Sequence, residues 1–183
     1  MAVLALGTLA ACTSDDPGDP PTSSPHTASA TPTPSPTPTR EATGPLARPD
    51  LSREDEATAE ALARYYLDSY VHAYATGDLT EVRAFAHPEC TFCADVVRRV
   101  EEYVAAGRYT SGGALEYSDV LATQVSERMF HVAMTVRQEQ MSVHDATGSV
   151  IASYAATTYP AAVVVLYDSG EWQIRGVDTN AGQ

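Results

Sequence analysis

Lysine is absent from this 183-residue sequence, so arginine supplies all 11 basic residues against 24 acidic ones. The formal net charge of −13 repels phosphate backbones, and we therefore expect no nucleic-acid partner. A membrane-spanning helix is not predicted either. The apolar stretch over residues 2–11 is shorter than the roughly 20 residues that such a helix needs, and it is typical of a signal peptide.

The apolar stretch ends in Leu-Ala-Ala-Cys at residues 9–12, which resembles the lipobox of bacterial lipoproteins. In such proteins the cysteine becomes the first mature residue and carries a diacylglyceryl thioether. The resemblance implies a signal peptide over residues 1–11 and an acylated Cys12, with chains such as palmitate, at the extracytoplasmic face of the cell membrane. Signal peptides normally begin with a cation and none is present here, so we expect the true start codon upstream of Met1.

A tether is predicted from the lipidated Cys12 to residue 51, and it contains a stretch over residues 31–39 in which proline alternates with hydroxyl residues. Proline removes backbone donors, and the segment has too little apolar surface to offset the entropy of ordering. We therefore expect a disordered, extended, polyproline-like spacer. The same composition is typical of O-glycosylated stalks, which is a second hypothesis for this segment.

Three helices are predicted after the tether. Ser52 and Asp55 resemble a capping box, and the aromatic and apolar residues that follow have helical spacing up to Gly77. Glycine suits the left-handed position that ends a helix. The second helix is predicted over residues 79–86 and the third over residues 91–106, where apolar residues form one stripe.

Beyond the helices the apolar pattern changes to a period of two, which is typical of β-strands. Strands are predicted over residues 115–125, 128–143, 150–159, 161–167 and 171–178. Residues 145–148 and 168–170 are typical of hairpin turns, and Pro160 predicts a bulge or a strand break. Three helices followed by a meander of strands predict an α+β fold.

Three parts of this pattern resemble the nuclear-transport-factor-two-like, or SnoaL-like, fold: the first helix with its end at residues 75–79, the short second helix, and the closing strand at 171–177. The resemblance implies three helices packed on a curved, cone-like antiparallel sheet in one domain over residues 52–180, with an open end that often forms a pocket. With the lipobox, the tether and the paired cysteines, the chain also looks like a group of actinobacterial lipoproteins that carry such a domain of unknown function.

Cys90 and Cys93 form the one motif whose residue types and spacing suggest a specific chemistry, and they lie at the predicted start of the third helix. In an exported protein this spacing favours a structural disulfide, which would contribute about 2 kcal/mol by closing a loop of roughly four residues. Three alternatives stay open: a redox dithiol at a helix amino terminus, a metal site in which His87 is the third ligand and a fourth is missing, and two free buried thiols.

Five residues are candidates for a pocket in the cone because they share an inward phase on their helix or strand: Tyr66, Tyr70, Gln138, Trp172 and Asp178. Polar side chains of this kind fix ligands in otherwise apolar pockets. An ordinary structural role is the competing explanation, since tyrosines on a helix stripe usually belong to the core and polar residues at strand ends usually face solvent.

Catalytic residues, metal ligands and cofactors are not predicted, because the sequence has no nucleophile elbow, no phosphate-binding glycine loop and no acid–base cluster. His131 and His144 are expected to face solvent or a partner. The predicted function is a membrane-anchored, non-catalytic binding or interaction domain whose partner is an envelope protein, a wall component or a small ligand. The alternative, which the fold resemblance implies, is a cell-surface isomerase or dehydratase that uses a pocket carboxylate or tyrosine.

Overall fold

A computed structural model describes residues 46–181 of the chain. The predicted signal peptide, the acylation of Cys12 and the tether up to residue 45 lie outside these residues. Three helices come first: α1 Glu56–Thr76, α2 Thr80–Phe85 and α3 Thr91–Ala105. They confirm the three helices predicted from the sequence. No helix within residues 46–181 combines the length and the apolar character that crossing a membrane requires.

The cap of α1 differs from the predicted capping box. Asp55 is the N-cap, and its Oδ1 accepts the backbone N–H of Thr58 at 2.9 Å. Ser52 does not cap the helix, because it lies in the preceding turn, where its N–H donates to Asp50 Oδ1 at 3.0 Å. At the other end Gly77 has a φ of 81° and donates its N–H to the carbonyl of Ala73, as predicted.

Helix α1 occupies the centre of the domain. Its buried residues include consecutive ones, such as Leu62 with Ala63 and Tyr65 with Tyr66. Consecutive residues of a helix point about 100° apart, so more than one face of α1 is covered. The helix contacts α2 and α3 as well as strands of the sheet.

Seven strands follow the helices: β1 Tyr109–Gly112, β2 Leu115–Ser126, β3 Met129–Gln138, β4 Met141–His144, β5 Val150–Tyr154, β6 Thr157–Asp168 and β7 Glu171–Asp178. They form a four-stranded antiparallel sheet in the order β2-β3-β6-β7 and a three-stranded one in the order β1-β4-β5. The predicted α+β class, with helices packed on antiparallel strands, is confirmed. Strand β1 was not predicted.

The two sheets are halves of one sharply bent sheet, because the pairing register continues from one to the other. The pairs on either side of the bend are Leu115–Gln138 and Gly112–Met141, and next to them Gln138–Thr157 and Met141–Tyr154. No residue is gained or lost between the facing strands at this point. The bend therefore gives the curvature that the resemblance implied.

Consecutive glycines make the bend possible. Gly112 and Gly113 have φ values of 72° and 77°, in the left-handed region that favours glycine. The connections are also tied together, since Gly113 N–H donates to the carbonyl of Gln140 at 3.0 Å and Glu139 N–H to that of Ala114 at 2.9 Å.

Two predicted strands are divided by this bend. The prediction of one strand over residues 128–143 is wrong, since β3 and β4 lie in different halves of the sheet. The strand predicted over 150–159 likewise separates into β5 and the start of β6. The alternating pattern gave no sign of the division, because the register passes through the bend unchanged.

Pro160 lies inside β6, so the predicted break or bulge there is wrong. On one side Pro160 faces Thr135 of β3. On the other side the pairing with β7 begins only at Ala162, opposite Asp178. At Pro160 the strand is therefore an edge, where a residue without a backbone N–H is tolerated.

The segment over residues 46–51, which the sequence assigns to the tether, contacts the folded domain. Leu46 and Leu51 pack against the core, and the carbonyl of Leu51 accepts the indole N–H of Trp172 at 3.1 Å. Arg48 donates to both carboxylate oxygens of Glu81 at 2.6 and 2.8 Å. The folded region thus includes residues before the predicted boundary at 52.

Candidate functional site

Three of the five predicted pocket residues belong to the core. Tyr66 is fully buried and Trp172 is 5% exposed. Tyr70 packs against the same core, with its ring 5.3 Å from that of Tyr74 and 5.9 Å from that of Phe92. Burial raises the pKa of the Tyr66 and Tyr70 hydroxyls. Their inward phase therefore reflects packing, which is the competing explanation given by the sequence.

The other two residues lie elsewhere. Gln138 is at the bend and lines a cavity of about 460 Å³ beside β4 and β5. Asp178 is exposed at the end of β7, and its Oδ1 accepts the N–H of Asn180 at 2.8 Å. Within residues 46–181 the structure does not gather the five predicted residues around a common cavity.

A second cavity, here called the bend cavity, lies between α1 and the bend of the sheet. Its volume is about 410 Å³, within the range of roughly 300–1,000 Å³ typical of small-molecule sites. Residues of α1, of β1 and of the bend supply most of its wall. The described lining residues are Leu46, Asp68, Val71, His72, Ala75, Tyr109, Thr110, Ser111, Gly112, Ala114, Leu115 and Glu139.

Two residues of this wall carry buried polar atoms without a hydrogen-bond partner among the described residues. They are Thr110 Oγ1 on β1 and His72 Nδ1 on α1. Thr110 is only 3% exposed. Buried polar atoms in folded proteins are nearly always hydrogen-bonded, and an unpaired one costs about 1–3 kcal/mol. The wall therefore has hydrogen-bonding capacity that the described protein atoms do not use.

Asp68 places a carboxylate in the same wall, one helical turn before His72 on α1. Its Oδ1 accepts the hydroxyl of Tyr117 at 2.8 Å. Burial raises the pKa of Asp68, and the Tyr117 hydrogen bond and the charge of Arg64 oppose that rise in part. Burial and the neighbouring carboxylate raise the pKa of Tyr117. The sequence carried a usable signal here, since residues four apart share a face of a helix.

Two residues of the wall, Tyr109 and Ser111, contact His144, which is outside the described lining. His144 is 3% exposed, so the expectation that it faces solvent is wrong. Its Nδ1 lies 3.1 Å from the carbonyl of Gly148, which only accepts, so Nδ1 carries a proton. In the neutral ring Nε2 then accepts the hydroxyl of Ser111 at 2.7 Å. The ring also stacks on Tyr109 at 4.8 Å, which explains why this histidine is buried.

Cys90 and Cys93 form a disulfide at the start of α3, where Cys90 is the N-cap. Both residues are 1% exposed, and their Cα atoms are 5.2 Å apart. His87 uses its Nδ1 to accept the N–H of Glu89 at 3.1 Å. Residues 46–181 contain no group of three or more histidine, cysteine or acidic side chains placed to hold a metal ion. The structure thus has a disulfide and not two free thiols, and the same bond is the oxidised form of a redox pair.

Removing this disulfide should weaken the domain measurably. The double variant Cys90→Ala with Cys93→Ala is expected to unfold about 2 kcal/mol more easily, because the small loop no longer constrains the unfolded chain. Urea denaturation followed by circular dichroism measures the change. Wild-type protein unfolded with a reductant is the control: it loses the bond but keeps the Cys90 cap, so its midpoint should lie at or slightly above that of the variant. Equal stability of the oxidised wild type and the variant would contradict the prediction.

Comparison with known proteins adds a sequence family and several solved structures. The profile of DUF6318, a family of unknown function, matches residues 27–178. A search of curated protein sequences finds no match.

Among solved structures, the intermembrane space region of the chloroplast protein ARC6 is similar with a TM-score of 0.55 and 15% identity, covering 71% of this chain and 99% of that chain. At this identity the similarity shows the fold alone. A nuclear-transport-factor-two-like protein of unknown function from Shewanella oneidensis has a TM-score of 0.41 and 13% identity, covering 66% of this chain and 96% of its own.

Proposed function

The chain belongs to the DUF6318 family of unknown function, and from this premise we propose that it is a lipid-anchored extracytoplasmic protein whose folded domain binds a small ligand in the bend cavity. The lipobox at residues 9–12 and the proline-rich tether support the anchor. Arginine without lysine, together with abundant alanine, is typical of the codon bias of a high-GC genome. With the resemblance to actinobacterial lipoproteins, this supports an actinobacterial source.

One observation carries the binding role: the bend cavity combines ligand-sized volume with unused polar atoms in its wall. Thr110 and His72 contribute these atoms from facing elements, β1 and α1. Val71 and Leu115 contribute apolar surface to the same cavity. A few polar groups in an otherwise apolar wall are typical of small-molecule sites, where they orient the ligand.

Blocking the cavity should abolish binding while the domain stays folded. We expect ligand-observed saturation-transfer NMR on the intact protein in mild detergent to identify binders from a panel of small amines, alcohols, amides and carboxylates. Val71→Trp fills the cavity from α1 and should remove their signals. Val125→Trp is the matched control, since Val125 is 53% exposed on β2 and outside the lining.

Each result of this experiment has a defined meaning. Signals that survive Val71→Trp, or a panel with no binder at all, would overturn the proposed binding role. Circular dichroism of both tryptophan variants shows that a lost signal comes from a filled cavity and not from unfolding. A compound that binds only to the detergent gives the same signal with the wild type and both variants, so it can be told apart from a compound that binds in the cavity.

A second candidate function, proton transfer on a bound ligand, is favoured by Asp68. Its carboxylate lines the cavity, has its pKa raised by burial and makes no salt bridge within the described residues. Such a group suits general acid–base catalysis. It would take the place of Asp178 in the isomerase or dehydratase alternative, because Asp178 is exposed and outside the bend cavity.

Hydrogen exchange in bound ligands tests the catalytic candidate. If Asp68 moves a proton, a carbonyl compound that binds should exchange its adjacent C–H for deuterium in heavy water. Asp68→Asn should stop the exchange, because the amide cannot take up a proton from the ligand. Its oxygen still accepts the hydrogen bond from Tyr117. If the compounds bind the wild type but show no exchange, the catalytic candidate is excluded and only the non-catalytic binding role remains.

A further inference from the structure

The described lining of the bend cavity carries negative charge without positive charge. Asp68 and Glu139 are both in the wall, and no arginine is among the described lining residues. Arg64 lies on the same helix as Asp68, but its guanidinium pairs with Glu60 at 2.5 Å and sits over the ring of Tyr117. The charge of Arg64 therefore offsets the burial of the Asp68 carboxylate only in part, and the wall keeps negative charge for an occupant of the cavity.

Asp68 has one described hydrogen-bond partner, a neutral hydroxyl. Tyr117 donates to its Oδ1, and no hydrogen bond to Oδ2 is made within residues 46–181. Removing a carboxylate from water is unfavourable unless a positive group compensates for the lost solvation. An occupant that brings a cation would supply that compensation, while an anionic occupant would be repelled by two carboxylates.

Resting on the proposed binding function, we infer that the ligand of the bend cavity is a small organic cation, an amine with a compact apolar body. Its ammonium group donates to the carboxylate of Asp68. Its body lies against Val71 and Leu115, and a hydroxyl or amide on that body pairs with the unused atoms of Thr110 and His72. The inference joins three features of one cavity: a charge of one sign, a buried unpartnered hydroxyl and an apolar surface.

The specificity is tested with matched probes of equal shape and different charge. Cyclohexyl, phenyl and isobutyl bodies are each used as the methylamine, the corresponding alcohol and the carboxylate, at pH 7. Affinities come from saturation-transfer titrations of the intact protein in mild detergent. We expect each amine to bind about 10- to 100-fold more tightly than its alcohol, which is the usual gain from a hydrogen bond to a charged group.

Two substitutions locate the effect. Asp68→Asn removes the charge and keeps the oxygen that accepts from Tyr117, so the amine should lose its advantage over the alcohol. Glu139→Gln is the matched control, because Glu139 is the exposed carboxylate of the same wall and should contribute much less.

The outcomes separate this inference from the proposed function. One contrary result is that alcohols or carboxylates bind the wild type as tightly as the amines do and lose this binding in Val71→Trp. That result would overturn the inference that the ligand is a cation and leave the binding role intact. An amine preference that Asp68→Asn does not reduce would also overturn it. Failure of every probe and of the wider panel would overturn the binding role and the inference together.

Discussion

Phe130→Ala is expected to lower the free energy of unfolding by about 3–5 kcal/mol, the range for a large aromatic side chain removed from a packed core. Phe130 is 1% exposed on β3, one of the two inner strands of the four-stranded sheet, and its ring lies 5.4 Å from that of Trp172. Alanine would leave a cavity that the surrounding strands cannot close. Because small domains are stable by only about 5–15 kcal/mol, this loss would remove a large part of the total.

Urea denaturation followed by tryptophan fluorescence measures this loss, since Trp172 is the one tryptophan of the chain. Leu121→Ala on the adjacent strand β2 is the control. Leu121 is 64% exposed, so its removal should change stability by no more than about 0.5 kcal/mol. A loss below 1 kcal/mol for Phe130→Ala would mean that the core does not pack around β3 as described.

Elements with a local signal could be predicted from the sequence. The helix α1 ends at Gly77 as predicted, because a left-handed residue after an apolar stripe is a local feature. The last strand matches its predicted bounds, since Trp172 and Ile174 are its buried positions two residues apart and a Ser-Gly turn precedes it. The cysteine pair is likewise local, and its disulfide was predicted from the spacing together with the predicted extracytoplasmic location.

The bend of the sheet could not be predicted from strand patterns. Side-chain alternation reports which face a residue occupies, and the pairing register crosses the bend without a shift, so the pattern looks like one long strand. Gly112 and Gly113 are the visible sign, but glycine pairs are common in ordinary turns. Only the partner strands show that this pair bends a sheet and does not end one.

The candidate site depends on contacts between distant parts of the chain. Asp68 and His72 could have been placed on one helix face from their spacing, but nothing local shows that β1 covers that face. Thr110 becomes a candidate only in the folded structure, because its burial follows from pairing with Val143 and from packing under α1. Three of the predicted pocket residues, in contrast, had the phase of the core and fill it: Tyr66, Tyr70 and Trp172.

Cys12→Ala should abolish lipid attachment completely, because the thioether needs the cysteine sulfur and alanine has none. In a bacterial host that acylates lipoproteins, with the gene in its own upstream context, the wild type should incorporate an alkyne analogue of palmitate. Two long acyl chains, each stabilised by about 0.8 kcal/mol per buried methylene, should hold it in the membrane fraction. The variant should show no label, and mass spectrometry should find residues 1–11 still attached.

The double variant Cys90→Ala with Cys93→Ala is the matched control for this labelling. It removes the other two cysteine sulfurs of the chain and should keep the full label, since those sulfurs are bonded to each other and 1% exposed. Label that persists in Cys12→Ala, or an unlabelled wild type that retains Met1, would contradict the anchor. If the anchor is contradicted, the Cys90–Cys93 disulfide requires an oxidising compartment other than the outer face of the membrane, because a reducing cytoplasm would keep both thiols free.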